Sequence, residues 1–133
     1  MIFIDTSAFL ARYIARDQYH SRAMAQWNLL ASTNIPCVTS NFVIDELVTL
    51  LTRRASPRFA AERARQIYAS SSLQILRPDA ADEAAAVILL EQHAGLTLSF
   101  TDCVSFALMR RHGIADAFTF DEHFRSVGFT VTS

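Results

Sequence analysis

The chain contains no lysine; all twelve of its basic residues are arginine. Every chemistry that requires a lysine amine is thereby excluded, including a Walker-type phosphate loop, a Schiff base and a phosphoacceptor receiver domain. Glycine is almost as scarce. Gly95, Gly113 and Gly128 are the only three and form no GxGxxG, so a dinucleotide fingerprint is absent. Cys37 and Cys103 make no CxxC pair and have no metal-ligand spacing, and they read as reduced thiols of a cytosolic protein. Apolar runs such as "AVILL" at 86–90 fall far short of the ~20 residues that cross a bilayer, which predicts no membrane association. No basic region precedes the apolar N-terminus and Asp5 interrupts it, so no signal peptide and a cytoplasmic location are expected. The net charge of −1 excludes a uniformly positive coat; any contact with nucleic acid must use a local patch.

What is present is 51% hydrophobic against 19% charged residues over 133 positions. That composition predicts one globular domain, 1–133, burying roughly two thirds of its unfolded surface. No repeat, low-complexity tract or linker divides it. Strand-type runs stand at 1–4 ("MIFI"), 36–40 ("PCVTS"), 73–76 ("LQIL"), 116–120 ("DAFTF") and, as a fifth, 129–132 ("FTVT"). Helical spacing covers Ser7 to Ala15, Asp17 to Ala31, the segment capped by Ser40 or Asn41 through Arg54, Pro57 to Ser70, Pro78 to His93, and Ser99 to Arg111. Short apolar strands alternating with amphipathic helices predict an α/β fold, a parallel sheet with helices on both faces. In such sheets ligands bind beyond the carboxyl ends of the strands, where Asp5 and Asp121 both fall.

Four acids draw attention. Asp5 follows the first strand and precedes a helix, a place suited equally to an N-cap and to a ligand. On the helix from 41 to 54, Asn41, Asp45, Thr49 and Thr52 form a polar stripe, whereas Glu46 shares a face with Phe42, Val43 and Leu50. A carboxylate among apolar neighbours needs a cation, hydrogen-bond donors or an internal arginine partner. Asp102 in "SFTDC" completes a capping box with Ser99, which leaves one of its oxygens available to a metal. Asp121 in "FTFDEHF" follows a strand and can cap a short helix. A doubly wound sheet can gather all four at one edge. Crowded carboxylates repel, and a divalent cation relieves the repulsion; oxygen ligands select hard ions such as Mg²⁺ or Mn²⁺.

On these residues the chain resembles a PIN domain (PilT N-terminus fold), and specifically the VapC-like toxins of bacterial toxin–antitoxin pairs. "FIDTSAFLARY" is similar to the family's opening strand, "SNFVIDELVTLL" to its glutamate helix, "SFTDCVSFALMRRHG" to the third-acid helix and "AFTFDEHF" to the fourth-acid segment. Order, spacing and total length carry the likeness. It implies a three-layer α/β/α fold with a short, mostly parallel sheet of four to five strands. It further implies a Mg²⁺-dependent endoribonuclease, with Mn²⁺ as a substitute, usually homodimeric and held inactive by a cognate antitoxin. Asp5, Glu46, Asp102 and Asp121 take the catalytic places, with Asp5, Asp102 and Asp121 as metal ligands.

Thr6, Ser7 and Thr101 flank the acids and can bond a ligand, the scissile phosphate or a helix end. Arg53, Arg54, Arg58, Arg63 and Arg65 cluster at one helix connection, as a solvated face or an RNA phosphate contact. His123 is the one histidine placed near the acids. Met24, Trp27 and the phenylalanines read as core, with some residues of the first two helices available to a partner groove. An aspartate-nucleophile phosphatase is excluded because the position two after Asp5 is Ser7. A non-catalytic PIN-like binding module and a DNA-cutting PIN nuclease are the alternatives, and metal-dependent RNA cleavage separates them.

Overall fold

β1 (Ile2–Ile4) is buried along its whole length, as a strand with neighbours on both edges must be. In the computed structural model, which describes residues 1–133, it lies at the centre of a five-stranded sheet of order β3-β2-β1-β4-β5. β2 (Cys37–Ser40), β3 (Leu73–Leu76), β4 (Asp116–Phe118) and β5 (Thr130–Thr132) complete it. Phe3 stands between Val38 of β2 and Ala117 of β4. The sequence predicts a mostly parallel sheet of four to five strands; all five form, and every pairing is parallel. The reason is connectivity: at least one helix separates each strand from the next, so no hairpin occurs.

The helices are α1 (Thr6–Tyr13), α2 (His20–Ser32), α3 (Asn41–Arg54), α4 (Pro57–Ala69), α5 (Ala80–Gln92), α6 (Phe100–Arg111) and the single-turn α7 (His123–Ser126), with a 3-10 turn at Ala94–Leu96. Together with the sheet they make three layers, α/β/α. Ser40 caps α3 by accepting the Val43 N–H, and Ser56 caps α4, with Pro57 in its first turn. Several expected boundaries move; α1 spans Thr6–Tyr13 rather than reaching Ala15. α2 begins at His20 rather than Asp17, because Asp17 turns back to accept the Tyr19 N–H at 2.8 Å. α5 is opened by Asp79, not Pro78, through a reciprocal capping box with Asp82. β4 stops at Phe118 rather than 120: the Thr119 N–H still reaches the Thr132 carbonyl of β5 at 3.3 Å, but the Phe120 N–H turns to the Ser7 hydroxyl.

Phe3, Phe9, Phe106, Phe118 and Phe124 are fully buried and fill the space between layers. Trp27 sets α2 against α1: its indole N–H donates to the Ala8 carbonyl at 3.1 Å, and its ring meets Phe9 and Phe118, each at 5.3 Å. Arg111 grips the buried Asp82 with two bonds of 2.7 and 2.8 Å, tying α6 to α5. Both cysteines are free. No helix is long and apolar enough to cross a membrane.

The strand order has a consequence for function. The chain winds outward from β1 through β2 to β3, then returns to lay β4 on the other side of β1. Adjacent connections therefore depart in opposite directions at the carboxyl ends of β1 and β4, opening a crevice there. Asp5 ends β1, and Thr119 through Asp121 follow β4.

Candidate active site

Asp5 occupies the N-cap position of α1 but makes no side-chain cap bond. Its carboxylate points across the crevice instead: Oδ2 accepts from the Thr119 hydroxyl at 2.7 Å and lies 3.0 Å from the Ser7 hydroxyl. Asp5 is only 4% exposed, and burial, reinforced by the charge of Asp102, outweighs those hydrogen bonds and lifts its pKa to about 7.

Asp102 sits in the first turn of α6 and forms the capping box expected of it. Ser99 Oγ accepts the Asp102 N–H at 3.0 Å, while Asp102 Oδ2 accepts the Ser99 N–H at 3.1 Å. Oδ1 is left over. Burial and the neighbouring charges of Asp121 and Glu46 hold this carboxyl above its usual range, against the pull of the Ser99 bonds. Asp102 therefore feels Asp5, Asp121 and Glu46 at once, which places it at the centre of the quartet. Ligand atoms of Asp102, Asp121 and His123 all lie within 4.8 Å of one another.

Asp121 does not cap α7, whose N-cap position is Glu122; its Oδ1 instead accepts the His123 N–H two residues on at 2.9 Å, and the His123 ring nitrogen Nδ1 stands 3.2 Å from the same oxygen. Glu46 is half-buried and takes part in no ion pair, so the internal arginine considered for it does not exist. Its neighbour Asp45 is exposed, as the polar stripe requires.

Among the flanking residues, Ser7 does not cap α1. Its hydroxyl accepts the Phe120 N–H at 2.9 Å and lies 3.1 Å from Thr119 Oγ1, which joins the ends of β1 and β4. Thr6 is buried, and its Oγ1 has no protein partner; Asn41 Oδ1, at the end of β2 on the same edge, is likewise unsatisfied. Thr101 is half-buried beside Asp102, with its carbonyl taken by the Ser105 hydroxyl. The arginine cluster divides. Arg54 lines a cavity shared with Ser7 and Asp121, whereas Arg53 is exposed and lines neither of the two main cavities. Arg58 pairs with Glu62, and Arg63 lies over the rings of Phe59 and Tyr13.

Thr119 is the residue that sequence reasoning missed. It is fully buried, donates to Asp5 and accepts the Asp121 N–H at 2.9 Å, so one hydroxyl aligns two of the acids. The available signal was a hydroxyl residue two positions before an acid at a strand end. His123, noted for its place in the chain, does reach the cluster.

The donor set suits a hard divalent cation: carboxylate oxygens predominate, one imidazole adds a borderline ligand, and two buried oxygens at this edge lack protein partners. The side chains whose ligand atoms lie close enough to share an ion are Asp102, Asp121 and His123, a group that does not include Asp5.

The chain matches the PIN domain family over residues 2–130. It is 40% identical over 129 residues to the 23S rRNA-specific endonuclease VapC20 of Mycobacterium tuberculosis, covering 97% of this chain and 95% of that protein. The crystal structure of M. tuberculosis VapC20, a sarcin–ricin loop cleaving toxin, superposes with a TM-score of 0.89 at 37% identity, over 98% of this chain and 97% of the other. VapBC2 of Rickettsia felis, solved bound to a DNA fragment from its promoter, shares the fold with a TM-score of 0.70 at 18% identity, over 99% and 98% of the two chains. From its opening strand to its last, the chain belongs to the PIN domain family.

Proposed function

We propose that this chain is the toxin of a toxin–antitoxin pair, a cytoplasmic, metal-dependent endoribonuclease that hydrolyses an RNA phosphodiester. The observation that carries the proposal is the convergence of Asp5, Glu46, Asp102 and Asp121 on one crevice, with no basic residue paired to Asp5, Glu46 or Asp102. A non-catalytic module gains nothing from that arrangement, since the repulsion costs stability. Mg²⁺ is the ion assigned to Asp5, Asp102 and Asp121, with Mn²⁺ as a substitute. When bound, the cation lowers the pKa of a water and offsets charge gathering on phosphorus. Thr119 and Ser7 hold the Asp5 carboxylate in place, Ser99 fixes that of Asp102, and Glu46 orients the attacking water from its helix.

The likeness to VapC20 directs the substrate search to 23S rRNA and its sarcin–ricin loop. Expressed alone, the chain should arrest growth and yield 23S rRNA cut at that loop. Co-expression with the product of the adjoining antitoxin gene should restore growth. Harmless expression of both wild type and Asp5→Asn, with no neighbouring product bound, would remove the toxin assignment and leave a PIN nuclease. An antitoxin has a ready seat: a cavity of about 680 Å³ runs between α1, α2 and α4, with Tyr13, Met24 and Trp27 in its wall. Most apolar residues of α1 are core, however, so the groove depends chiefly on α2 and its surroundings.

We assign homodimerisation to the outer face of α5, where Val87, Ile88 and Leu90 are 49%, 55% and 39% exposed. Light scattering should find a dimer for the wild type and a monomer for Ile88→Arg. An unchanged mass for that variant would place the interface elsewhere.

A further inference from the structure

A second cavity, of about 410 Å³, adjoins the acidic crevice, sharing Ser7 and Asp121 with it. Its other walls carry two further carboxylates, Asp17 and Glu122, together with Arg54 and two aromatic rings. Tyr19 and Phe120 stack in parallel there, with ring centroids 4.6 Å apart and planes within 4°. Both rings are half-buried, packed against the edge of the core and partly open to solvent. Both are anchored from the backbone, since the Tyr19 N–H donates to Asp17 at 2.8 Å and the Phe120 N–H to Ser7 at 2.9 Å. Little ordering is therefore left for a ligand to impose.

The charged lining is mixed: Asp17, Asp121 and Glu122 stand with Arg54, while Arg16 and Arg22 lie close by. Arg54 lines the cavity and pairs with no carboxylate, and the Arg16 guanidinium, also in no ion pair, donates to the Arg54 carbonyl at 2.8 Å. The Arg22 guanidinium lies 5.6 Å from the Tyr19 centroid and 5.4 Å from that of Phe120. Hydrolysis at the acids requires neither the aromatic pair nor these arginines. An aromatic platform with arginines beside it matches one ligand chemistry closely: a flat base carried on a phosphate.

We propose that this cavity is a nucleotide subsite, in which the base next to the scissile phosphodiester stacks on the Tyr19–Phe120 pair while its phosphate meets Arg54. The inference rests on the ribonuclease reading for the scissile bond, but the binding itself can be measured without cleavage. The probes are 2-aminopurine riboside and its 5′-monophosphate, whose fluorescence is quenched on stacking, titrated with the Mg²⁺-loaded protein. The wild type should quench both. Tyr19→Ala should weaken binding of both by about tenfold or more, and Tyr19→Phe, which keeps the ring, should behave as wild type. Arg54→Gln, on the exposed surface, should weaken only the monophosphate, by about fivefold.

Absence of quenching by the wild type overturns the proposal, and so does equal quenching by Tyr19→Ala. If Tyr19→Ala does not fold, Arg54→Gln decides, because indifference of the monophosphate to that change is equally fatal. Should Tyr19→Ala impair capture of the antitoxin and leave the probes unaffected, the cavity belongs to the protein partner and the subsite falls. Quenching by a protein that cuts no RNA would uphold the subsite while ending the ribonuclease reading. RNA cleavage with a KM indifferent to Tyr19→Ala would do the reverse.

Discussion

Asp5→Asn is expected to lower RNA cleavage by about 100- to 1,000-fold, roughly 3–4 kcal/mol of transition-state stabilisation, while making the metal-free protein more stable. Both effects come from the same burial. An ionised Asp5 is desolvated and faces Asp102, so its pKa rises from 3.8 to about 7 on folding. Between those values the folded state binds a proton that the unfolded state has released. Stability contributed by Asp5 is thus complete below about pH 4 and is lost as pH rises toward 7, in total about 4 kcal/mol. An asparagine keeps an oxygen for Thr119 and Ser7 and carries no charge. At pH 8 and without metal, the variant should melt on the order of 10 °C above wild type, with the gap closing as pH falls to about 4. Glu46→Gln and Asp102→Asn should also remove most activity, whereas Asp45→Asn, on the exposed stripe, should retain it. Calorimetry at the two pH values and steady-state cleavage are the measurements. Equal activity losses from Asp45→Asn and Glu46→Gln would contradict the orientation of α3, and a stability gap independent of pH would contradict the burial of a charged Asp5.

Removal of divalent metal should abolish cleavage, and Mg²⁺ or Mn²⁺ should restore it. Products should carry 5′-phosphate and 3′-hydroxyl ends. The alternative, attack by the RNA 2′-hydroxyl, needs a base and an acid on opposite sides of phosphorus, and His123 is the only histidine in the cluster. Cyclic phosphates formed in the presence of chelator would refute the scheme. Metal should also stabilise the fold, because it binds the native quartet and not the unfolded chain. At a concentration 100-fold above its dissociation constant the gain is about 2.7 kcal/mol, or on the order of 10 °C in Tm. The increment should shrink at pH 5, where Asp5 must first lose its proton, and should largely vanish in Asp102→Asn.

The placement of Asp102 at the centre of the quartet explains how one residue can cap a helix and still serve a site. Capping uses one oxygen and directs the other outward, so α6 fixes the angle at which the acid enters the crevice. The unpartnered oxygens of Thr6 and Asn41 border the same edge, and an ion or its waters would satisfy them.

Much of this was legible in the chain. Strand type and helix spacing are local properties, and caps at Ser40, Ser56 and Ser99 act over three residues, so the element order could be read directly. The contrast between Asp45 and Glu46 was equally legible, because helical periodicity alone assigns them to different faces. The acids could be proposed as a group from their positions at strand ends. What the sequence could not determine was which oxygen of each acid is free, since that depends on contacts across more than a hundred residues. Asp5 meets Thr119, and Ser7 meets Phe120, only because β4 returns to lie beside β1. The same crossover shortens β4, raises the pKa of Asp5 and brings Tyr19 onto Phe120. Local preference chose the elements; strand order, a global outcome of burying both faces of the sheet, decided what meets at its edge.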